Sequence, residues 1–230
     1  MVKVTKEGDF IKDVIHGGLD GTITTFAIIS GVTGAALGAP VILVIGSANL
    51  IAHGLAIAVS YYAGVEAENI YNINERKKET RYLLHHFTDT EKELEKYYMK
   101  HHYTQEDAEK IVHTLAKHKK VLTDTVIDEE LHLDSHKESP TRTSFITFTA
   151  FLFFGFVPLF SYILEISPIP FALDSFIVAA GLTGATIFGL GTFRAAVTDR
   201  HWLQSGLEFL ALGGIAATLA FVVGTAISHF

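Results

Sequence analysis

The polar residues best suited to chemistry lie where the chain first becomes apolar, in the stretch DFIKDVIHGGLDG at positions 9–21. At about 100° per residue, Asp9, Asp13, His16 and Asp20 fall on one side of a helix. Asp9 and Asp13 are also typical of a helix start, where carboxylates interact favourably with the helix dipole. Asp20 lies deeper, where an ionisable group is costly unless it faces a polar cavity or a partner, and such groups commonly mark ion pathways.

The second apolar stretch carries one imidazole, His53, within NLIAHGLAIAVSYYAG. A single histidine in an apolar helix is more often a hydrogen-bonded structural group than a ligand. An imidazole beside a row of carboxylates could instead form a path for a divalent cation, and both kinds of group can take up protons when the metal leaves. The sequence leaves both interpretations open, and the second would couple metal movement to proton movement.

A charged block between positions 66 and 142 holds further oxygen and nitrogen ligands. Glu91 and Glu95 are four residues apart, so they share a helix face and could bind a divalent cation together with carboxylates of a neighbouring helix. Carboxylates with imidazoles suit Mn²⁺, Fe²⁺ or Zn²⁺. For any single one of these residues, a solvated helix face is the simpler explanation. The segments TDTEKELE and TQEDAEK each predict a helix that begins with a threonine cap.

The composition indicates a membrane protein. The chain has 230 residues, of which 49% are hydrophobic and 19% charged, with a mean hydropathy of +0.32, and this is too apolar for an ordinary soluble domain. It has no cysteine, which excludes disulfides and thiolate chemistry, so oxygen or imidazole ligands must hold any metal. No clear cleavage site follows the charged first dozen residues, so we expect no cleaved signal peptide and a first span that stays as an anchor.

Five stretches are long enough to cross a bilayer: 15–37, 40–65, 143–165, 170–193 and 202–227. All 18 Lys and Arg residues lie in the N-terminal segment, the central block or the fourth connection. The positive-inside rule therefore places the N-terminus and central block in the cytoplasm and the C-terminus on the other side, in a bacterial inner membrane or an organelle membrane. We predict an all-α integral membrane protein with a helical cytoplasmic domain inserted between spans two and three. Its domains are 1–65 (spans one and two), 66–142 (cytoplasmic) and 143–230 (spans three to five).

Two further carboxylates belong to the apolar stretches. Glu208, near the start of span five, is interpreted as an ion-pair partner of Arg194 or Arg200. Asp174, near the start of span four, is either an exit-side ligand or an interfacial residue.

The sequence resembles the vacuolar iron transporter family of Fe²⁺/Mn²⁺ transporters. The similarity comprises GDFIKDVIHGGLDGTITTFAIISGVTGAALG in span one, the long second helix entering an acidic domain, EELHLD before span three and HWLQSGLEFLALGGIAA in span five. It implies a homodimer with five spans per subunit, a pathway at the dimer interface lined by span one, a cytoplasmic metal-binding domain, and export of Fe²⁺ from the cytosol in exchange for protons. Fe²⁺ or Mn²⁺ would be transported and bound, with Zn²⁺ as a further ion at the cytoplasmic domain. No prosthetic group and no nucleic-acid partner are expected.

The resemblance also assigns roles to residues. Asp20 matches the central pathway aspartate, and Asp9 and Asp13 match acidic residues at the cytoplasmic entrance. The acidic character of the metal-binding domain is matched by Glu79, Glu91, Glu95 and Glu130.

The chain departs from the family pattern at positions where the family has ligands. Ile57 replaces a pathway methionine, Tyr61 a nearby glutamate, and Val126 and Ile127 the methionines expected before EEL. His53 lies one turn from Ile57 on the same face, and we predict that it forms the mid-membrane metal site with Asp20, with one residue from each subunit or both residues from each.

Two other function classes remain to be weighed. A membrane-anchored metal buffer or sensor would use the central domain to bind metal and the spans only as an anchor. An enzyme is disfavoured, because the sequence has no HExxH motif, no repeated ExxH pair and no nucleophile motif.

Overall fold

A computed structural model describes residues 2–129, 138–168, 173–198 and 200–229, which contain helices and no strand. The prediction of an all-α protein is confirmed for these residues. The helices are α1 (Val2–Gly34), α2 (Ala39–His85), α3 (Phe87–Lys100), α4 (Gln105–Ala116), α5 (Lys119–Glu129), α6 (Pro140–Phe156), α7 (Phe160–Ile166), α8 (Ser175–Thr198) and α9 (Trp202–Ser228).

Four helical stretches among the described residues are long and apolar enough to cross a membrane. They are Ala39–His85, Pro140–Ile166, Ser175–Ala195 and Trp202–Ser228. Helix α1 has the length but carries Asp20, several threonines and many glycines within its apolar part, and these residues lower its mean hydropathy. The assignment of α1 as span one, and with it the total of five spans, therefore stays a prediction.

The chain divides into two compact units, one formed by residues 1–63 and 140–230 and the other by residues 64–139. Helix α2 contributes to both. At about 1.5 Å per residue its 47 residues measure about 70 Å, more than twice the thickness of a bilayer core. The uninterrupted helix predicted to follow span two is thus confirmed.

In the unit of residues 1–63 and 140–230, α1 contacts α6, α8 and α9. Close approach is possible because glycines face the neighbouring backbones: a Cβ atom at Gly17 or Gly21 would overlap a carbonyl oxygen of α6, and one at Gly224 of α9 would overlap that of Gly31. Small residues of this kind are typical of helix interfaces in membranes. Between α6 and α7 the chain forms a short 3₁₀ turn, Val157–Leu159, because Pro158 lacks the N–H that an α-helix requires.

The unit of residues 64–139 has its own apolar core, to which α2, α3, α4 and α5 contribute. Its fully or almost fully buried side chains are Leu83, Leu94, Val112, Leu122, Val126 and Ile127. The predicted cap of α4 is confirmed, since the side chain of Thr104 accepts a hydrogen bond of 3.2 Å from the backbone N–H of Asp107. The predicted cap of α3 by Thr88 is wrong: α3 begins at Phe87, so Thr88 already lies inside the helix.

Candidate functional site

Asp20 and His53 face each other across the first two helices. Asp20 lies fourteen residues before the end of α1 and His53 fourteen residues after the start of α2, so both are about 21 Å along their helices from the connecting turn. The Nε2 atom of His53 is 3.7 Å from Oδ2 of Asp20, and the two side chains are 42% and 39% exposed. The structure therefore brings together the two residues that the sequence predicts as a mid-membrane pair.

The separation of these two atoms determines what they can do. At 3.7 Å it is longer than a hydrogen bond. A metal ion binds imidazole nitrogen and carboxylate oxygen at about 2.1 Å, so a single ion can contact both atoms without moving either helix. When His53 is protonated, the same two groups form an ion pair. The ring of Phe151 lies 5.3 Å from that of His53, centroid to centroid, and supports one side of the imidazole.

A cavity of about 950 Å³ extends along residues 8–20 of α1. Asp20 and His16 line it from α1, Tyr61 from α2, Arg194 from α8 and Glu208 from α9. The rings of His16 and Tyr61 meet edge to face, with centroids 5.4 Å apart. Apolar side chains form part of the lining as well, so the polar groups named above are those that an ion in the cavity could contact.

The predicted polar stripe does not share one environment. His16 is exposed and Asp20 partly exposed, and both line the cavity, whereas Asp13 is only 2% exposed. Asp9 is partly buried near the start of the described side chains. The helical spacing of the stripe is correct, but the neighbouring helices cover part of it.

Glu208 pairs with both arginines that the sequence proposes as its partners. Its Oε2 atom is 3.7 Å from Nη1 of Arg200 and 4.0 Å from Nη1 of Arg194, so this prediction is confirmed. Sequence reasoning did not recognise that Arg194 and Lys12 line the same cavity as Asp20. The feature of the sequence that could have indicated this is the position of both residues at the ends of apolar segments.

Asp174 has a structural role. Its Oδ1 atom accepts a hydrogen bond of 3.0 Å from the backbone N–H of Ile177, in the first turn of α8. This contact satisfies one of the donors left free at a helix start and favours the interfacial interpretation over an exit-side ligand.

In the unit of residues 64–139, Glu79, Glu91 and Glu95 are half-buried, while Glu130 lies outside the described residues. Within the described ranges, no three His, Asp or Glu side chains are close enough together to hold a metal ion. Asp128 contacts Arg76, with a distance of 2.6 Å from Oδ1 to Nη1, and Asp124 contacts it at 3.0 Å. The hydrogen bond that the Arg76 guanidinium donates to Asp128 is the main reason that the pKa of Arg76 is raised.

Three of the four positions at which the chain departs from the family pattern are apolar core positions, and the fourth, Tyr61, lines the cavity. Val126 and Ile127 are 2% and 0% exposed in the core of residues 64–139. Ile57 is 9% exposed and packs in the cluster that contains Phe151. These three side chains contribute packing where the resemblance predicts ligands.

Comparison with known proteins identifies the chain's relatives. The model of the VIT family matches residues 11–225. The vacuolar iron transporters of Plasmodium berghei (strain Anka) and Toxoplasma gondii (strain ATCC 50861 / VEG) are each 30% identical over 224 residues, which cover 94% of this chain and 81% and 74% of theirs. Vacuolar iron transporter 1 of Arabidopsis thaliana is 25% identical over 225 residues, 96% of this chain and 88% of its own.

These relatives are transporters, which agrees with the prediction that the chain is not an enzyme. The apolar helices and the relatives together identify an integral membrane protein. Because the family model covers nearly the whole chain, this protein belongs to the VIT family.

Proposed function

We propose that this protein is a proton-coupled transporter that moves Fe²⁺ out of the cytosol, with Mn²⁺ as a second substrate. The observation that carries the proposal is the 3.7 Å approach of His53 Nε2 to Asp20 Oδ2 beside a cavity. An ionisable pair within apolar spans is costly unless it has a function. The names of the relatives support iron as the substrate.

In the proposed pathway, metal passes Asp9, Asp13 and His16 and reaches a central site formed by Asp20 and His53. A carboxylate and an imidazole suit Fe²⁺, Mn²⁺ or Zn²⁺, and the names of the relatives favour iron among these. The pathway requires α1 to cross the membrane as span one, in addition to the four apolar stretches described above. Its contacts with three helices that include α8 and α9 support this assignment, because the neighbours shield its polar backbone and side chains from lipid.

Proton coupling follows from the chemistry of the central pair. Metal binds the neutral imidazole and the ionised carboxylate, whereas protonation of either group removes a ligand. Metal and protons therefore compete for the same two side chains, and this competition allows exchange in opposite directions. Asp20 and His53 supply this competition without any additional titratable residue.

The orientation and assembly also belong to the proposal. The distribution of Lys and Arg supports a cytoplasmic N-terminus and a C-terminus on the opposite side. We propose a homodimer in which residues 64–139 form a cytoplasmic domain that collects metal through Glu79, Glu91, Glu95 and Glu130. The separate apolar core of this unit supports its folding as a domain.

Uptake by proteoliposomes tests the proposal. With a proton gradient imposed, we expect metal to accumulate beyond the number of protein chains, and competition among Fe²⁺, Mn²⁺, Zn²⁺ and Co²⁺ measures the preference. Asp20→Ala and His53→Ala should each reduce the rate by at least about tenfold, the lower end of the loss caused by perturbing a metal site. His229→Ala, at the exposed end of α9, is the control.

A metal buffer gives a different result in the same assay, since it binds metal in proportion to the protein present and independently of the gradient. No accumulation under a gradient of either sign would contradict transport. Parental rates in both Asp20→Ala and His53→Ala would contradict the assignment of the central site.

A further inference from the structure

The cavity that leads to Asp20 contains fixed positive charge. Arg194 and Lys12 line it together with Asp20 and Glu208. A positive side chain in such a cavity repels a divalent cation twice as strongly as a monovalent one. A cation pathway that includes Arg194 therefore needs a means of reducing this repulsion.

Glu208 is placed to reduce the repulsion between Arg194 and an entering cation. Its carboxylate is within 4.0 Å of Arg194 and 3.7 Å of Arg200. The guanidinium carbon of Arg194 also lies 5.1 Å from the ring centroid of Phe209, so two consecutive residues of α9 contact the arginine. These contacts fix where its positive charge stands relative to the cavity.

The Arg194–Glu208 pair is poorly suited to a purely stabilising role. The two side chains are 32% and 49% exposed, and ion pairs between exposed groups contribute little to folding because solvent screens them. Charges at the edge of a binding surface instead alter the rate of encounter with a charged ligand and its dependence on salt. The location of this pair beside the route to Asp20 is consistent with the second effect.

We propose that Arg194 and Glu208 set the apparent affinity of the transporter for its divalent substrate. Arg194 opposes entry of the cation, and Glu208 offsets this charge and holds the guanidinium against Phe209. Neither side chain needs to bind the metal. The inference rests on the proposed transport function and adds a control of substrate entry to it.

Kinetics of Mn²⁺ uptake by proteoliposomes of the full-length chain test the inference. Arg194→Gln should lower KM and Glu208→Gln should raise it, each by about three- to tenfold for one charge acting on a divalent ion across a hydrated cavity. The maximal rate should not change in either variant. The double variant restores the net charge, so its KM should return to the parental value.

Two controls separate an electrostatic effect from damage to the fold. Arg194→Lys keeps the charge and should keep the parental KM. Raising the salt on both sides of the vesicle from about 0.1 M to about 1 M shortens the screening length from about 10 Å to about 3 Å. The KM differences should shrink accordingly, whereas a structural defect would persist.

The outcomes are distinct. An unchanged KM in Arg194→Gln, or a shift that persists at high salt, would overturn the inference while leaving transport intact. A double variant that is worse than both single variants would also overturn it, because it would indicate a packing role. Failure of the parental protein to accumulate Mn²⁺ would overturn the proposed function and this inference together.

Discussion

Ile57 and His53 are one helical turn apart on α2 but have different surroundings. The side chain of Ile57 belongs to an apolar cluster and is 9% exposed, whereas His53 approaches Asp20. We expect Ile57→Met to change unfolding free energy by less than about 1.5 kcal/mol, as for volume-conserving core replacements, and to leave metal preference unchanged. His53→Met should lower uptake of Mn²⁺ relative to Zn²⁺, because a thioether is a softer ligand than an imidazole. Uptake with Mn²⁺ and Zn²⁺ in competition measures the metal preference of both variants. A shift in preference from Ile57→Met would show that this side chain reaches the pathway.

The sequence predicts individual site residues better than their contacts. Asp20 and His53 could be recognised because ionisable groups are expensive in apolar spans. That they face each other depends on where α1 ends and α2 begins, and sequence patterns locate such ends poorly. The contact between Arg76 and Asp128 joins residues 52 positions apart, and no local pattern predicts it. The partners of Glu208 could be predicted because all three residues lie around one short connection.

At the level of helices, the contact between α1 and α9 depends on a glycine. A Cβ atom at Gly224 would overlap the backbone carbonyl oxygen of Gly31, whereas Gly214, on the same helix, has open space around it. We expect Gly224→Ala to destabilise the protein by about 1–3 kcal/mol, the usual cost of overpacking. Gly214→Ala is the matched control and should be neutral or slightly stabilising, because alanine favours the helix. The measurement is the midpoint of thermal unfolding in detergent, and equal midpoints for the two variants would contradict the close contact.

Helix prediction succeeded where apolar length or periodicity was strong and was less accurate at helix ends. Helix α2 was predicted to continue past its apolar part, because no proline or glycine follows Gly64 there. The stretch predicted as span one begins at position 15, whereas helix α1 begins at Val2; the two starts differ because charged residues extend a helix without adding hydropathy. Thr88 was expected to cap α3, but the helix starts one residue earlier. The backbone N–H of Asp89 instead donates a hydrogen bond of 2.9 Å to the carbonyl oxygen of His86, so the helix is already formed at Thr88.

For the molecule as a whole, we expect the two compact units to have different roles in metal transport. Residues 1–63 and 140–230 contain the Asp20–His53 pair and the cavity, while residues 64–139 contain the three half-buried glutamates proposed to collect metal. If the second unit only gathers ions, its carboxylates should influence affinity more than turnover. The two units can therefore be separated by kinetics without cutting the chain.

A double variant, Glu91→Gln with Glu95→Gln, tests whether these carboxylates influence affinity more than turnover. We expect it to reduce the number of Mn²⁺ ions bound per chain at equilibrium in detergent and to raise the KM for uptake, because two carboxylates on one face of α3 are lost. The rate at saturating Mn²⁺ should stay within about twofold of the parental rate, since no group that handles the ion in the pathway has changed. Glu106→Gln is the control, because Glu106 is 78% exposed and forms an ion pair with Lys110 one turn along α4. Loss of uptake at saturating metal would instead make Glu91 and Glu95 part of the transport pathway itself.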